Sequence, residues 1–238
     1  MSFNQVLGLL RKADERFSMI GDGDKVCVGL SGGKDSLALL QLLDTYRAFA
    51  PHKFELGAIT IDMGFKDADF SAVKNYCDGK NIAYHIEKTD IGPLIFDVRK
   101  EKNPCSLCSR MRRGALVGAA AKLGYNKIAL GHHADDLIET LFLSMFYEGR
   151  LSVFSPTAHM DRRGITLIRP LILAKEKDLI PIARALPVCP SPCPANHATR
   201  REYVKTLIKG ICRDIPFAKD RIISAVTHPE RNNLWSQR

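Results

Sequence analysis

Two glycines and two serines follow an apolar run of the sequence, in the segment SGGKDS at Ser31–Ser36. Gly32 and Gly33 would let backbone amides approach an anion closely, and the serines add hydroxyl donors. The apolar run before the segment predicts a strand and the run after it predicts a helix, whose N-terminus favours negative charge. The segment therefore predicts a phosphate-binding loop, with a plain turn between strand and helix as the alternative. It fits neither the Walker A pattern nor the dinucleotide fingerprint.

A second polar segment, GHHADD at Gly131–Asp136, also lies between a predicted strand and a predicted helix. Asp135 and Asp136 would occupy the first turn of that helix, where the dipole favours carboxylates, so capping is the alternative to a functional role. His132 and His133 could ligate a metal, although no HxxxH partner lies nearby. Asp62 ends another predicted strand, where it could face a nucleotide or cap the next helix.

Cysteines supply a third candidate site. Cys105 and Cys108 have CxxC spacing, which suits zinc, an iron–sulfur cluster or a redox pair, with zinc first in the absence of a partner. Cys189 and Cys193 lie in a proline-rich bend and are the candidate partners. Four thiolates would close a structural zinc site, whereas three would leave a position open for chemistry. The remaining three fall in apolar patterns and are predicted core residues: Cys27, Cys77 and Cys212.

Basic residues are concentrated in two segments of this chain, which has a net charge of +9. Residues 99–113 carry six basic residues and one acidic residue, and residues 200–238 carry nine basic and four acidic. The two segments together favour a polyanion partner, for which RNA is the first hypothesis, over a merely solvated basic surface. Aromatic residues do not interleave with the basic ones, so stacking on single-stranded bases is not indicated.

Strands and helices alternate through most of the sequence, which predicts an α/β fold with a doubly wound parallel sheet. The predicted strands are Lys25–Leu30, Phe54–Ile61, Ile82–Glu87, Lys127–Gly131 and Ile165–Arg169. The predicted helices cover residues 2–19, the segment from SGGKDS to Phe49, Asp69–Lys80, Arg110–Leu123, Ala134–Tyr147, Thr199–Arg213 and Ala218–Val226.

The 238 residues are enough for one large domain. We predict an α/β domain over residues 1–186 that includes a polar cysteine-bearing insertion at 101–113. A cysteine- and proline-rich bend followed by a basic helical segment, residues 187–238, would pack on the same domain. No run approaches the roughly 20 apolar residues of a membrane span. The N-terminus does not resemble a secretory signal, so no membrane association and a cytoplasmic location are expected.

SGGKDS after an apolar strand resembles the PP-loop of the N-type ATP pyrophosphatases, of the adenine nucleotide α-hydrolase-like fold. The resemblance implies cleavage of ATP between the α and β phosphates, with pyrophosphate held by the loop and AMP passed to an acceptor oxygen. It also implies that Asp35 helps to hold Mg²⁺ and that GHHADD borders the ATP site. The implied nucleotide-binding residues are Ser31, Gly32, Gly33, Lys34, Asp35, Ser36, Gly131, His132 and Asp135.

SGGKDS together with CSLCSRMRRG, GHHADDLIETLFLSMFYEGRL, IRPL and a late cysteine is similar to the tRNA 2-thiocytidine synthetase (TtcA) group. The resemblance implies that the C2 oxygen of a cytidine in the anticodon loop is adenylated and then replaced by sulfur. It further implies a 4Fe–4S cluster whose fourth iron holds the incoming sulfur. Its ligands would be Cys105, Cys108 and a third cysteine, for which we favour Cys193 over Cys189.

The same resemblance suggests roles for further residues and partners. The implied catalytic residues are Asp35, Asp62, Arg112 and Asp135, and the expected RNA-binding residues are Arg110, Arg113, Arg200 and Arg201. The implied partners are tRNA, a sulfur donor that is either sulfide or a persulfide carrier, and a second copy of the chain in a homodimer. Three alternatives stay open: a thiolase of another base such as 2-thiouridine, a cluster-free adenylating ligase related to lysidine synthetase, and a zinc-stabilised RNA-binding protein.

Overall fold

Five parallel strands and one antiparallel edge strand form a sheet in the computed structural model of the protein, in the order β3–β2–β1–β4–β6–β5. The structure describes residues 1–101, 104–190, 192–194 and 199–234. The strands are β1 (Asp24–Leu30), β2 (Phe54–Asp62), β3 (Ala83–Lys88), β4 (Lys127–Ala129), β5 (Thr157–Met160) and β6 (Ile165–Ile168). The sequence prediction of a doubly wound, mostly parallel α/β fold is confirmed.

Helices connect the strands and form the C-terminal part of the chain. Their bounds are α1 (Phe3–Phe17), α2 (Lys34–Tyr46), α3 (Ser71–Gly79), α4 (Ile91–Pro93, continued by a π-helix over Leu94–Val98), α5 (Pro104–Lys122), α6 (Ala134–Glu148), α7 (Glu176–Ala183), α8 (Arg200–Asp214) and α9 (Ala218–Thr227). Among the described residues, no helix combines the length and the apolar character needed to cross a membrane.

The sheet order explains where a ligand would bind. Strand β1 pairs in parallel with β2 on one side and with β4 on the other. The chain thus leaves β1 in one direction for β2 and β3, and reaches β4 on the opposite side. Ligands of doubly wound sheets bind outside the carboxyl ends of the strands at such a switch point. SGGKDS follows β1 and GHHADD follows β4, so the two segments lie at the switch point.

The structure differs from the sequence prediction at the start of α5 and in several further elements. Helix α5 begins at Pro104, so the CxxC pair lies inside its first two turns, whereas we predicted a polar insertion followed by a helix from Arg110. Proline is favoured at the first helical position, and Leu107 packs against the core, so the helix starts earlier. Strand β5, helix α4 with its π-helical continuation, and helix α7 were not predicted. The strand is short and only half-buried at the sheet edge, which leaves it a weak apolar pattern.

The chain divides into two compact units, each built from two stretches. The first comprises residues 1–133 and 155–196 and holds the sheet, and the second comprises residues 134–154 and 197–238. The second unit has its own apolar cluster, with Ile138 of α6 packed against Val204 and Ile208 of α8. The domain boundary that we predicted after residue 186 stays a prediction.

A buried carboxylate joins the first two helices of the first unit. Asp14 of α1 accepts a hydrogen bond from the Tyr46 hydroxyl at 2.7 Å and another from the Ile20 backbone N–H at 2.8 Å. Burial, followed by the bond to Asp14, raises the pKa of Tyr46, so the hydroxyl stays protonated and donates. Because Tyr46 and Asp14 are both buried, water cannot replace a lost partner.

We expect Tyr46→Phe to lower the free energy of unfolding by about 2 kcal/mol, since it removes a donor from a buried carboxylate. Urea unfolding followed by circular dichroism measures the change. Tyr203→Phe is the matched control, because the Tyr203 side chain is 62% exposed and should tolerate the same loss. Equal stability of Tyr46→Phe and wild type would show that the hydrogen bond contributes nothing.

Candidate active site

The SGGKDS loop is shaped by its own serines and glycines. The Ser31 backbone N–H donates to the Ser36 hydroxyl at 3.2 Å, and the Ser36 hydroxyl donates to the Gly33 carbonyl at 2.9 Å. Gly32 has φ +78°, in the left-handed region that side chains rarely adopt. Gly33 is the N-cap of α2 and has no side chain that could accept hydrogen bonds from the first helical turn. The backbone amides of that turn therefore face outward from the helix N-terminus. The loop therefore has the features of an anion site at a helix N-terminus.

Lys34 lies between two carboxylates at the start of α2. Its Nζ is 2.9 Å from Asp35 Oδ2 and 2.8 Å from Glu176 Oε1 at the start of α7. Burial lowers the pKa of Lys34, but the hydrogen bonds to Glu176 and then Asp35 outweigh burial and raise the pKa overall. The lysine is thus held in its charged form. Glu176 was not among the predicted site residues.

The segment after β4 lies directly against the SGGKDS loop. A Cβ placed on Gly131 would be 3.0 Å from the Asp35 carbonyl carbon and 3.1 Å from the Ser36 amide nitrogen, so any larger residue would require the loop backbone to shift by a few tenths of an ångström. The structure thus brings residues 131–133 of the second predicted nucleotide-binding segment against the SGGKDS loop. The His133 side chain is buried, and its Nε2 is 3.9 Å from Asp35 Oδ2. We predicted His132 as a nucleotide-binding residue, and the structure places the neighbouring His133 beside Asp35 as well.

A cysteine of the proline-rich bend also contacts the SGGKDS loop. The Cys189 backbone N–H donates to the Gly32 carbonyl at 2.9 Å, and a Cβ placed on Gly32 would be 3.2 Å from Cys189 Cβ. Burial, and then the charge of Asp69, raises the pKa of the Cys189 thiol. The bend is therefore attached to the loop by a backbone hydrogen bond.

Cys105 and Cys108 lie three residues apart in the first two turns of α5, and therefore on one side of the helix. Burial raises the pKa of the Cys108 thiol. Arg112 opposes that rise, while Cys193 and Cys105 add to it. Cys108 therefore interacts electrostatically with both the other CxxC cysteine and Cys193. Thiolates are the usual donors to iron–sulfur clusters and are also common zinc ligands.

These three cysteines form a set of candidate donors rather than a closed metal site. Within the described ranges of the chain, no three Cys, His, Asp or Glu side chains converge at the spacing of a metal site. Cys105 is exposed, and Cys108 and Cys193 are half-buried. The residues of the set are nevertheless of the type that a cluster requires. Cys27 and Cys77 are buried, as predicted for core residues, and Cys212 packs at the edge of the second unit's cluster.

Three arginines predicted to act on the nucleotide or the RNA lie on α5 close to the CxxC pair. Arg110, Arg112 and Arg113 are all exposed. Burial, and then the charge of Arg113, lowers the pKa of Arg169, a buried residue that follows β6. The charge of Arg113, on the cysteine-bearing helix, therefore acts on Arg169 of the same unit.

Asp62 ends β2 and lies at the carboxyl edge of the sheet, as predicted. Its Oδ1 accepts a hydrogen bond from the Gly64 backbone N–H at 2.9 Å, which fixes the turn after the strand. The alternative that Asp62 caps the next helix is not observed, because Phe70 is the N-cap of α3.

The remaining predicted site residues belong to the second unit. Asp135, at the start of α6, accepts a hydrogen bond from Lys219 of α9. Arg201 of α8 donates to Asp136 at 2.9 Å and to Glu139 at 3.0 Å. The Arg200 guanidinium lies 4.5 Å from the centre of the Tyr147 ring. In this structure Arg201 therefore neutralises carboxylates of α6, and its role toward RNA stays a prediction.

Comparison with known proteins connects this site to a family. Residues 9–189 match the PP-loop domain model ATP_bind_3. The chain is 37% identical to the tRNA-cytidine(32) 2-sulfurtransferase of Citrifermentans bemidjiense, over 98% of this chain and 93% of that protein. It is 39% identical to the tRNA-cytidine(32) 2-sulfurtransferase of Teredinibacter turnerae, over 98% of this chain and 80% of that protein.

A solved structure agrees with these sequence matches. The U34-tRNA thiolase NcsA from Methanococcus maripaludis, determined with its 4Fe–4S cluster, superposes with a TM-score of 0.79. The superposition covers 97% of this chain and 79% of that one, at 25% sequence identity. The resemblance noted from the sequence motifs is confirmed. The chain belongs to the tRNA-cytidine(32) 2-sulfurtransferase family of PP-loop proteins.

Proposed function

We propose that this protein is an ATP-dependent tRNA sulfurtransferase that adenylates the C2 oxygen of a cytidine and replaces that oxygen with sulfur. One observation supports the proposal beyond family membership: the bend that contains Cys189 and Cys193 contacts the phosphate loop and interacts electrostatically with the CxxC pair. Cys189 is hydrogen-bonded to Gly32 of the phosphate loop, and Cys193 interacts with Cys108 of the CxxC pair. Four residues of chain span at most about 14 Å, so the Cα atom of Cys193 lies within that distance of the Cα atom of Cys189.

The first step of the proposed reaction is transfer of AMP. Outward-facing amides of the loop, the Ser31 and Ser36 hydroxyls and Lys34 would hold the β and γ phosphates as pyrophosphate leaves. The C2 oxygen of cytidine attacks the α phosphorus, and the bond from that phosphorus to the bridging oxygen of pyrophosphate breaks. Mg²⁺ bound by Asp35 would neutralise charge on the phosphates. We also assign Asp62 and Asp135 to the nucleotide, and Arg112 to stabilisation of the adenylate.

The second step replaces oxygen with sulfur. Sulfide attacks C2 of the adenylated base, the C2–O bond breaks, and AMP departs with the former C2 oxygen. A 4Fe–4S cluster held by Cys105, Cys108 and Cys193 would present an iron without a cysteine ligand to the incoming sulfur. Cys189 is the alternative third ligand. The fit of the residues rests on their donor type and on the interaction of Cys108 with both partners.

The tRNA substrate requires both a basic surface and access to one base. We assign Arg110 and Arg113 of α5, together with Arg200 and Arg201 of α8, to contacts with the RNA backbone. A cytidine in a folded loop would have to leave its stack to bring C2 to the phosphate loop. We further propose that the sulfur donor is sulfide or a persulfide carrier, that the enzyme acts as a homodimer, and that it works in the cytoplasm, where tRNA is present.

Incubation of the protein with its substrates tests this function. Anaerobically purified protein, unmodified tRNA, ATP with Mg²⁺ and sulfide are combined, and the tRNA nucleosides are analysed by mass spectrometry. We expect 2-thiocytidine, formed only when ATP is present. Formation of 2-thiouridine would move the substrate assignment to that of NcsA-type thiolases. A nucleoside joined to an amine without sulfur would identify a ligase, and no modified nucleoside with zinc bound would favour an RNA-binding protein.

A further inference from the structure

Glu176 is the first residue of α7, and its carboxylate contacts the phosphate-loop lysine from a distant part of the sequence. Glu176 Oε1 lies 2.8 Å from Lys34 Nζ, and the two side chains are each about one-third exposed. The two residues are 142 positions apart in the chain. A glutamate that reaches the loop in this way is distinct from the residues of SGGKDS and GHHADD.

The position of Glu176 is fixed by the packing of its helix. Helix α7 packs against α2, the helix that begins with Lys34, and Leu179 of α7 is fully buried. The buried Asp178 carboxylate accepts a hydrogen bond from the Lys175 backbone N–H at 3.4 Å, at the start of the same helix. The first turn of α7 is therefore anchored, and Glu176 meets the lysine from a rigid element.

The chemistry of an ammonium group gives this contact a function. Lys34 Nζ has three N–H donors and lies within hydrogen-bond distance of both Asp35 oxygens, at 3.1 and 2.9 Å, and of Glu176 Oε1. Transfer of Asp35 to Mg²⁺ would release donors for a phosphate oxygen while Glu176 keeps its own bond to the lysine. A lysine side chain has a flexible stem and loses conformational entropy when a ligand fixes it. Because Glu176 fixes Lys34 beforehand, less of that cost falls on nucleotide binding. Asp35 is also the residue that we assign to Mg²⁺, which would leave Glu176 to hold the lysine.

We propose that Glu176 is a positioning residue, which orients Lys34 toward the pyrophosphate half of ATP. This inference rests on the proposed function in one respect only, the binding of ATP by the SGGKDS loop. It makes a specific prediction. A residue that acts through Lys34 strengthens binding of the β and γ phosphates, so its loss should leave the affinity for AMP unchanged.

The test measures the binding of ATP, pyrophosphate and AMP by titration calorimetry, each with Mg²⁺, on the anaerobically purified full-length protein. We expect Glu176→Ala to bind ATP and pyrophosphate about tenfold more weakly than wild type. Glu176→Gln should lose about threefold or less in affinity for ATP and pyrophosphate, because its amide oxygen still accepts a hydrogen bond from Lys34 but carries no charge. AMP affinity should stay at the wild-type value. Lys177→Gln, an exposed neighbour in the same helical turn, is the matched control and should bind all three ligands normally.

A double-mutant cycle separates positioning from a structural effect. In the Lys34→Ala background, Glu176→Ala should cause no further loss of ATP affinity. Unchanged ATP binding by Glu176→Ala would overturn the inference, as would an equal loss for ATP and AMP or a full further loss in the Lys34→Ala background. Wild-type protein that binds ATP and shows this pattern without thiolating tRNA would contradict the proposed function alone. Wild-type protein that binds neither ATP nor pyrophosphate would overturn both.

Discussion

Cys193→Ala is expected to lose its iron and sulfide and, with them, tRNA thiolation. Wild type purified anaerobically should hold about four irons per chain, and removal of one of three thiolate ligands leaves a cluster with too few attachments. Cys193 is the residue to change because it is the favoured third ligand and adds to the raised pKa of the Cys108 thiol, whereas the Cys189 backbone N–H is hydrogen-bonded to the phosphate loop. Iron and sulfide analysis with an absorption spectrum gives the result directly.

Cys189→Ala is the matched control, since it lies in the same bend and is also half-buried. We expect this variant to retain iron and sulfide at the wild-type level. The reverse pattern, in which Cys189→Ala loses the cluster and Cys193→Ala keeps it, would make Cys189 the third ligand. Stoichiometric zinc without iron in the wild type, even after anaerobic reconstitution, would exclude the cluster from the mechanism.

Gly32→Ala should abolish ATP-dependent release of pyrophosphate, with a loss of at least about 100-fold. Two costs coincide at this position. A side chain at φ +78° is strained by about 1–2 kcal/mol, and the new Cβ would be 3.2 Å from Cys189 Cβ. Relief of either the backbone strain or the close contact would displace the loop amides that receive the phosphates. Each misplaced donor in such a site lowers the rate of the reaction by a large factor. A coupled assay for pyrophosphate measures the effect.

Gly23→Ala separates backbone strain from damage to the loop. Gly23 has φ +76°, close to that of Gly32, but nothing lies within 4 Å of the position of its Cβ. The Gly23→Ala variant should therefore lose about as much free energy of unfolding as the backbone strain costs at Gly32, while it releases pyrophosphate near the wild-type rate. If Gly32→Ala also keeps that rate, SGGKDS does not form the phosphate site.

The local parts of the site could be predicted from the sequence because their signals are local. Gly32 and Gly33 after an apolar strand indicate a loop at a helix N-terminus, whichever partner lies beyond it. The CxxC spacing likewise predicts two thiols close enough together to bind one metal centre. The start of α5 at Pro104 was missed because the polar residues around the cysteines obscured the helical pattern of Leu107 and Met111, which pack against the core.

Long-range pairings could not be predicted in the same way. The contact of Glu176 with Lys34 depends on the packing of α7 against α2, which no local pattern encodes. The bonds of Arg201 to Asp136 and Glu139 depend on how α8 lies on α6. From the sequence alone, Arg201 is simply one cation in a basic segment. The choice of Cys193 over Cys189 as third ligand stays a prediction. To the sequence argument the fold adds the electrostatic effect of Cys193 on Cys108 and the hydrogen bond of Cys189 to the loop.

The central claim is that AMP leaves with the oxygen that sulfur replaces, and an isotope measurement tests it most directly. Unmodified tRNA with ¹⁸O at C2 of its cytidines is incubated anaerobically with the protein, ATP, Mg²⁺ and sulfide in ordinary water. AMP and nucleosides are then analysed by mass spectrometry. The account predicts one ¹⁸O atom in AMP for each 2-thiocytidine formed. Unlabelled AMP, or 2-thiocytidine formed without AMP, would contradict adenylation of the C2 oxygen.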